Sequence, residues 1–482
     1  MDDDLRARRG RVPAWWADAK LGIFIHWVPA SVPGFAPTQT GITELLTGDR
    51  ADPLASIPYS EWYENSLRFP ASPVARFHRD HYGDRPYAAF AADFVAGLTE
   101  WDPEDWAGRF ARTGARYVVL VAKHHDGWCL WPSRVVNPHR AGWHSERDLV
   151  GELAEAVRRR GMRFGLYYSG GYDWTFDATP IGSLAGGLAA IPRGDYPDYA
   201  DAQVRELVER YQPSVLWNDI AWPTSQARLE ELLGWYFEQV PDGVVNDRWM
   251  PVLPGAALLA RPGVAAVVDR IARRSVRRSG GLVPPKPRFF MHRTPEFTTF
   301  ERISHTPWEC VRGMDQGFGY NRTSTEADHL TSDELIRSFT DIVATGGNLL
   351  LNVGPRGEDA RIPDPQLQRL DWLGDWMETA GAALQDTRPW IRPRDRSPEG
   401  FDLRYAARGD SVFVLAWHGG PANQYAAVTV PFRSTPRTEI RALDGAALAW
   451  QPGERGLRVD LPLDRDESAF AFSVAGGEAL SD

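Results

Sequence analysis

Short apolar segments alternate with amphipathic segments through most of this chain, and this alternation limits the folds open to it. The apolar segments read as continuous runs, which is typical of strands buried on both faces of a parallel sheet. The predicted strands are 21–27, 116–125, 163–169, 214–219, 243–249 and 348–355. The predicted helices that alternate with them are 103–115, 145–161, 198–212, 224–240, 331–347 and 363–384. This order predicts an α/β protein in which residues 1–388 form a (β/α)8-like barrel.

The sequence pattern changes after Trp390. A turn-rich linker, IRPRDRSPEG, leads into segments such as FDLRYAA and SVFVLAWHG, in which side chains alternate between two faces. A period of two residues predicts strands with one buried face. Residues 389–482 are therefore predicted to form a small C-terminal β-sandwich domain, and they contain no cluster of catalytic residue types.

Motifs for common cofactors are absent from the sequence. No G-x-G-x-x-G follows the first strand and no G-x-x-x-x-G-K-[ST] occurs, so neither a dinucleotide nor a P-loop nucleotide is supported as a ligand. Cys129 and Cys310 are the only cysteines, which excludes a disulfide framework and a C-x-x-C zinc pair. We expect no metal and no organic cofactor.

Net charge also excludes some partners. The formal charge is −10 at pH 7, which argues against nucleic acid and against an anionic membrane surface. The first residues, MDDDLRARRGRVPAWW, lack the apolar stretch of a secretory signal, and no segment is apolar enough to span a membrane. We therefore expect a cytoplasmic protein, with a homo-oligomer left open.

Polar and aromatic residues end most of the predicted strands. In a parallel barrel the carboxyl ends of the strands meet on one face, and active sites lie there. We therefore expect these strand ends to converge on one pocket. They are His26 and Trp27; Lys123, His124, His125 and Asp126; Tyr167, Tyr168 and Ser169; Trp217, Asn218 and Asp219; and Asn246, Asp247, Arg248 and Trp249.

A metal site and a sugar site would both use such residues. His124 and His125 are adjacent, so they would point to opposite faces of a strand unless the strand has already ended. The i, i+4 spacing of H-E-x-x-H is absent, which disfavours a metal-dependent hydrolase. Imidazole, carboxylate and amide groups together supply both donors and acceptors for closely set hydroxyl groups, which favours a sugar.

Cleavage of a glycosidic bond with retention needs two carboxyl groups, one as nucleophile and one as acid/base. Asp219, at the end of the segment SVLWND, is a candidate nucleophile. A strand-end aspartate that only caps the following helix is the simpler interpretation, and position alone leaves both open.

A set of motifs in this region resembles the α-L-fucosidases of glycoside hydrolase family 29. The resemblance runs from about residue 15 to residue 352, and the motifs occur in the family's order. They are LGIFIHW, EWYENSLR, HRDHYG, AKHHDGWCLWPS, RDLVGEL, GLYYSGGYDW, VLWNDIAWP, VVNDRW, WECVRGM, FGYNR and GGNLLLNVGP.

The resemblance implies a retaining exo-α-L-fucosidase that acts on fucosylated oligosaccharides or glycoconjugates. The family's W-x-D motif falls on Trp217, Asn218 and Asp219, which implies that Asp219 forms a covalent fucosyl-enzyme. The aromatic residues would form the floor beneath the C5 methyl group of fucose. The implied sugar-binding residues are His26, Glu61, Trp62, His124, His125, Tyr167, Trp217 and Arg248.

The acid/base position varies between subgroups of this family. The segment FTTFE resembles the one that carries the acid/base in some relatives, so Glu301 is the predicted residue, with Glu309 and Glu296 as alternatives. An arginine-rich segment, 250–296, precedes it and departs from compact relatives. Its arginines are expected to form the solvated face of a short helix.

Three other functions remain open at this point. The pocket could serve a related sugar such as an α-L-galactoside, which has a hydroxymethyl group in place of the methyl. It could also belong to a non-catalytic fucose-binding protein or to a metal-dependent hydrolase. The presence of both Asp219 and Glu301 argues against a decayed enzyme.

Overall fold

The structure is a computed structural model, and it describes residues 3–252, 255, 258, 259, 261–418, 426–462 and 469–480. Its N-terminal part is built on seven parallel strands in the order β5-β4-β3-β2-β1-β7-β6. Each of these strands is almost wholly buried, which explains the continuous apolar runs in the sequence. The strands are β1 (Leu21–Ile25), β2 (Tyr117–Lys123), β3 (Arg163–Ser169), β4 (Val215–Asp219), β5 (Val244–Val245), β6 (Trp308–Arg312) and β7 (Gly347–Val353).

An extended segment from Met291 to Phe297 fills the eighth position, between β5 and β6. The Met291 amide donates to the carbonyl of Val245 in β5 at 3.3 Å. On the other side, the Glu309 amide in β6 donates to the carbonyl of Arg293 at 2.8 Å. Because β7 also pairs with β1, these bonds close the sheet into a ring. The predicted (β/α)8-like barrel is confirmed.

Helices cover the outer face of the ring. In α7, for example, Asp102 caps the first turn through the Glu104 amide, and Trp106 and Phe110 are buried. The helices are α1 (Asp3–Arg8), α2 (Ala14–Ala19), α3 (Ile42–Thr47), α4 (Tyr63–Leu67), α5 (Pro73–Tyr82), α6 (Phe90–Gly97), α7 (Pro103–Arg112), α8 (Leu149–Arg159), α9 (Leu184–Ala189), α10 (Tyr196–Tyr211), α11 (Gln226–Gln239), α12 (Pro262–Ser279), α13 (Ser332–Ala344) and α14 (Asp364–Ala380).

Two strands differ from the sequence prediction. The predicted strand 243–249 pairs only over Val244–Val245, because the side chain of Asn246 then takes over the hydrogen bonds: it accepts from the Asn218 amide and donates to the Asn218 carbonyl. Strand β6 was not predicted, since Glu309 and Arg312 interrupt its apolar pattern. Glu309 is nevertheless fully buried.

The C-terminal part forms antiparallel sheets that pack face to face. A five-stranded sheet has the order β13-β16-β10-β9-β8, and a three-stranded sheet has the order β11-β15-β14. The predicted β-sandwich is confirmed, and the predicted boundary between residues 388 and 389 falls at the start of β8. The strands are β8 (Arg388–Arg396), β9 (Asp402–Arg408), β10 (Ser411–Trp417), β11 (Ala427–Val430), β12 (Phe432–Arg433), β13 (Glu439–Ala442), β14 (Trp450–Gly453), β15 (Gly456–Asp460), β16 (Ala469–Ala475) and β17 (Glu478–Ala479).

The arginine-rich segment forms α12, an 18-residue helix that packs against α3 and α9. The guanidinium groups of Arg273 and Arg277 donate to the carbonyls of Gly48 and Thr47, at the C-terminal end of α3. Cations are favourable at that end of a helix dipole. The other arginines of the helix are exposed, as predicted. In the described ranges, no helix combines the length and the apolar character needed to cross a bilayer.

Candidate active site

A cavity of about 520 Å³ opens at the carboxyl ends of the barrel strands. This is the face on which barrel enzymes carry their active sites. One predicted catalytic residue and all eight predicted sugar-binding residues line it, although they come from six separate parts of the sequence. They are Asp219, His26, Glu61, Trp62, His124, His125, Tyr167, Trp217 and Arg248.

Asp219 ends β4 and is held by three donors. Its Oδ1 accepts hydrogen bonds from the Arg248 guanidinium at 2.8 Å and from the Ile220 amide at 2.8 Å. Its Oδ2 accepts from the Tyr167 hydroxyl at 2.8 Å and faces Nε2 of His125 at 3.9 Å. Donors to both oxygens fix the orientation of the carboxyl group.

Glu296 lies on the far side of the same guanidinium. Its Oε1 accepts from Nη2 of Arg248 at 2.5 Å, and its Oε2 accepts from the Tyr59 hydroxyl at 3.4 Å. Burial raises the pKa of Glu296; Arg248 opposes this rise and the carboxylate of Asp219 adds to it. The cavity therefore contains two carboxyl groups joined by one arginine, one of them with a raised pKa.

The structure does not bring Glu301 to the cavity. Its side chain is exposed on a loop and is not among the residues that line the cavity. Glu309 is fully buried beneath the floor, where it accepts from the Tyr117 hydroxyl at 2.5 Å and from Trp217 Nε1 at 3.2 Å. Of the three glutamates considered from the sequence, Glu296 alone lines the cavity, so the geometry corrects the preference for Glu301. Glu296 and Glu301 lie five residues apart, and Glu296 is held at the cavity by its contact with Arg248.

Two adjacent histidines can share the pocket because β2 ends at Lys123. His124 and His125 follow the strand, and their rings lie 4.0 Å apart between centroids. Nδ1 of His125 shares a hydrogen bond with the Ser169 hydroxyl at 2.7 Å. Burial lowers the pKa of both rings. The neighbouring ring of His125 lowers the pKa of His124 further, and the charge of Lys123 lowers the pKa of His125 further. Both imidazoles are therefore neutral near pH 7.

His26 and Glu61 form the next part of the wall. Nδ1 of His26 lies 2.6 Å from Oδ1 of Asn352, so Nδ1 donates and Nε2 remains as an acceptor. Burial lowers the pKa of His26 to about 4. Glu61 accepts from the Gly319 amide at 2.8 Å, and burial raises its pKa to about 8. Glu61 is therefore protonated at neutral pH and can donate to a ligand hydroxyl.

One group of side chains has the spacing of a metal site. Ligand atoms of His26, Glu61 and His124 lie within 4.8 Å of one another, and no other such group of three occurs among the described residues. A protonated Glu61 is a poor metal ligand. The same three groups can instead donate to and accept from neighbouring hydroxyl groups.

The cavity floor is aromatic. Tyr167 stacks on Trp217 with ring centroids 5.5 Å apart, and Phe24 packs against both. Sequence reasoning missed Phe24, although it lies two residues before His26 and so shares its face of β1. It also missed Tyr59, for which the sequence carries no signal, because its contact with Glu296 joins residues 237 positions apart.

A (β/α)8-like barrel with two carboxyl groups and a cluster of neutral imidazoles at the carboxyl ends of its strands defines a barrel glycoside hydrolase. Comparison with known proteins identifies the family of glycoside hydrolases. A family model described as alpha-L-fucosidase matches residues 3–382. The chain belongs to the α-L-fucosidase family.

Individual relatives agree with this assignment. The chain is 32% identical to an alpha-L-fucosidase of Branchiostoma floridae over 94% of its own length and 89% of the relative's. It is 28% identical to the human tissue alpha-L-fucosidase over 94% and 85% of the two chains. Among solved structures, Thermotoga maritima alpha-fucosidase in complex with a mechanism-based inhibitor is similar with a TM-score of 0.80 and 34% identity, covering 98% of this chain and 99% of that one.

Proposed function

We propose that this protein is a retaining exo-α-L-fucosidase in which Asp219 is the nucleophile and Glu296 is the acid/base. The observation that carries the proposal is the pair of carboxyl groups that line the cavity and bind opposite terminal nitrogens of Arg248. A retaining glycosidase needs its two carboxyl groups about 5–5.5 Å apart. Two groups separated by a single guanidinium suit that requirement.

The first step would form a covalent bond between Asp219 and the sugar. The carboxylate attacks C1 of the fucosyl group while the bond from C1 to the leaving oxygen breaks, and Glu296 gives its proton to that oxygen. In the second step Glu296 takes a proton from water, the water oxygen attacks C1, and Asp219 leaves. The product keeps the α configuration because two displacements restore it.

The electrostatics of the two carboxyl groups fit these separate roles. Asp219 accepts from Arg248, Tyr167 and a backbone amide, which stabilises it as an anion. Burial raises the pKa of Glu296, which allows it to hold a proton until the leaving oxygen requires it. Burial alone would lower the pKa of Arg248, but Glu296 and Asp219 raise it, so the guanidinium remains charged throughout.

Recognition of fucose would divide between a polar wall and an aromatic floor. The neutral imidazoles of His26, His124 and His125 and the protonated Glu61 would bind the ring hydroxyls. The C5 methyl group would lie against the aromatic floor, where the hydroxymethyl group of an α-L-galactoside would lose its hydrogen bonds to water. We therefore expect p-nitrophenyl α-L-galactoside to be the poorer substrate.

The substrate in this proposal carries a terminal α-L-fucosyl group, and the sequence predicts that the group is attached to an oligosaccharide or glycoconjugate. No cofactor takes part, since both proton transfer and nucleophilic attack use side chains of the chain itself. The cytoplasmic location remains a prediction from the sequence, and the sequence leaves the oligomeric state open.

The deciding experiment measures hydrolysis of p-nitrophenyl α-L-fucoside by wild type and by Asp219→Ala. We expect rapid turnover by wild type, loss of at least about 10⁴-fold in Asp219→Ala, and recovery in azide with release of β-fucosyl azide. The exposed Asp371→Ala is the matched control and should be unchanged. NMR should detect α-L-fucose as the first product; β-L-fucose first would mean inversion and overturn the mechanism. Fucose binding without any turnover would identify a sugar-binding protein instead.

A further inference from the structure

The cavity changes character from its floor to its mouth. The charged and imidazole groups lie at the strand ends, whereas the outer lining comes from α3, α9, α12 and the segment 282–285 and is mainly aliphatic. The contribution of α12 is a single stripe with helical spacing. Its members are Val268, Ile271, Ala272, Ser275 and Val276.

Part of this apolar surface is open to solvent, because Leu188 and Ile271 line the cavity and are exposed. Eight large apolar side chains are exposed in the described part of the chain, and five of them lie on or beside α12 and α9. Ile271 is 61% exposed although it lines the cavity. Exposed apolar patches of this kind mark binding sites.

The cavity-lining stripe of α12, from Val268 to Val276, is called the α12 wall, and several contacts fix it in place. The carboxylate of Asp269 accepts from the Ala185 amide in α9 at 2.9 Å. At the next turns, Arg273 and Arg277 bind the carbonyl end of α3. The α12 wall is therefore held by α9 and by α3, and it forms a preorganised surface.

The position of the wall relative to Glu296 identifies what it would contact. The Glu296 amide donates to the carbonyl of Leu282 at 2.8 Å, so Leu282 adjoins the proposed acid/base. Glu296 must reach the oxygen that joins fucose to its leaving group. The leaving group would then pass beside Leu282 and onto the stripe of α12.

We propose that the α12 wall is a leaving-group subsite for apolar aglycones, so that fucosides of alkyl or aryl alcohols are preferred over fucosyl-oligosaccharides. This inference rests on the proposed function. A sugar in this position would need hydrogen-bonding partners or an aromatic plane. The stripe supplies one hydroxyl, from Ser275, and aliphatic carbon otherwise.

The test compares kcat/KM for methyl α-L-fucoside, hexyl α-L-fucoside and an α-L-fucosyl-galactose disaccharide. Methanol and hexanol are leaving groups of similar acidity, so a difference between them reports binding of the chain. Each methylene removed from water is worth about fourfold in binding. We expect hexyl to exceed methyl by at least about tenfold, and the disaccharide to be no better than methyl.

Adjacent valines on α12 provide a matched pair of variants. Val268 lines the cavity, whereas Val267 is 53% exposed and does not. Val268→Asn and Ile271→Asn should each reduce the ratio of kcat/KM for the hexyl fucoside to that for the methyl fucoside to below about threefold. Val267→Asn carries the same change in helix propensity and should keep the full advantage.

Three results would overturn the inference. They are equal kcat/KM for methyl and hexyl fucosides, a tenfold preference for the disaccharide, or a hexyl advantage that survives both cavity variants. A dimer that Val267→Asn dissociates, together with no hexyl advantage, would assign the wall to a second copy of the chain. Failure of wild type to hydrolyse any fucoside, p-nitrophenyl α-L-fucoside included, would instead reject the proposed function itself.

Discussion

Asp219 and Glu296 bind opposite terminal nitrogens of one guanidinium, that of Arg248, at 2.8 Å and 2.5 Å. The arginine fixes the separation of the two carboxyl groups and couples their charges. A change at any one of the three residues should therefore alter the position and the electrostatic environment of the other two. The predictions below use this coupling and the contacts around it.

The first prediction separates Glu296 from Glu301. We expect Glu296→Gln to lower kcat/KM for an alkyl α-L-fucoside by about 10²–10⁴-fold, since an alkoxide cannot leave without a proton. An activated aryl fucoside should lose less in the same variant. Glu301→Gln, the same change at an exposed residue, should match wild type on both substrates in initial-rate assays. A large loss in Glu301→Gln alone would restore the assignment made from the sequence.

The second prediction concerns the alkaline limb of the pH profile. Activity requires protonated Glu296, so kcat/KM should fall as pH rises through its pKa. The hydrogen bond from Tyr59 lowers the pKa of Glu296, so Tyr59→Phe should move this limb to higher pH. Tyr172→Phe removes another cavity hydroxyl that does not bind Glu296 and serves as the control. A limb that moves equally in both variants, or not at all in Tyr59→Phe, would argue against Glu296 as the group observed.

The third prediction links Glu61 to stability. Burial raises its pKa to about 8, whereas the unfolded chain releases the same proton near the usual value of about 4.3. Between these pH values the folded protein holds a proton that the unfolded chain has lost, so the free energy of unfolding falls as pH rises, by up to about 1.4 kcal/mol per pH unit.

Glu61→Gln removes this ionisation and keeps an acceptor for the Gly319 amide. Urea unfolding at pH 5 and pH 8 should show a smaller decrease in stability for Glu61→Gln than for wild type. The decrease for Glu301→Gln should equal that of wild type. Equal decreases in all three proteins would mean that Glu61 is ionised in the folded state.

The fourth prediction tests Glu309 as a structural residue. Tyr117→Phe removes the hydroxyl that donates to buried Glu309 and should lower the free energy of unfolding by about 1–3 kcal/mol. Tyr405→Phe is the comparison, since the buried hydroxyl of Tyr405 has no hydrogen-bond partner among the described residues. It should be neutral or stabilising. Loss of activity in folded Tyr117→Phe, with an altered pH profile, would indicate that Glu309 takes part in proton transfer.

The fifth prediction concerns metal. Dialysis of the protein against a strong chelator should leave kcat unchanged, because His26, Glu61 and His124 bind sugar hydroxyls in the proposed mechanism. Elemental analysis of the purified protein provides the independent measurement. Activity that is lost with chelator and restored by Zn²⁺ or Mn²⁺ would show that these three residues form a metal site.

The comparison of sequence with structure is clearest at the strand ends. His26, His124, Tyr167, Asp219 and Arg248 were all predicted correctly to lie in one pocket. Each lies near the carboxyl end of an apolar strand, and the parallel barrel places every such end on the same face. That rule needs only the order of strands and helices, which is local information.

The acid/base was not predictable in the same way. The proposed role of Glu296 depends on its contact with Arg248, 48 residues earlier, and with Tyr59, 237 residues earlier. Glu301 is only five residues further along and has the same chemistry, yet it is exposed. Spacing in the sequence cannot distinguish them.

The sequence by itself determined the barrel, the sandwich and the strand-end residues, because burial and periodicity follow from the identity of neighbouring residues. Only the tertiary structure decided which glutamate shares Arg248 with Asp219, which helix lines the mouth of the cavity, and which titratable groups are buried away from water. These properties depend on distances between residues far apart in the chain, and desolvation and charge coupling act through those distances.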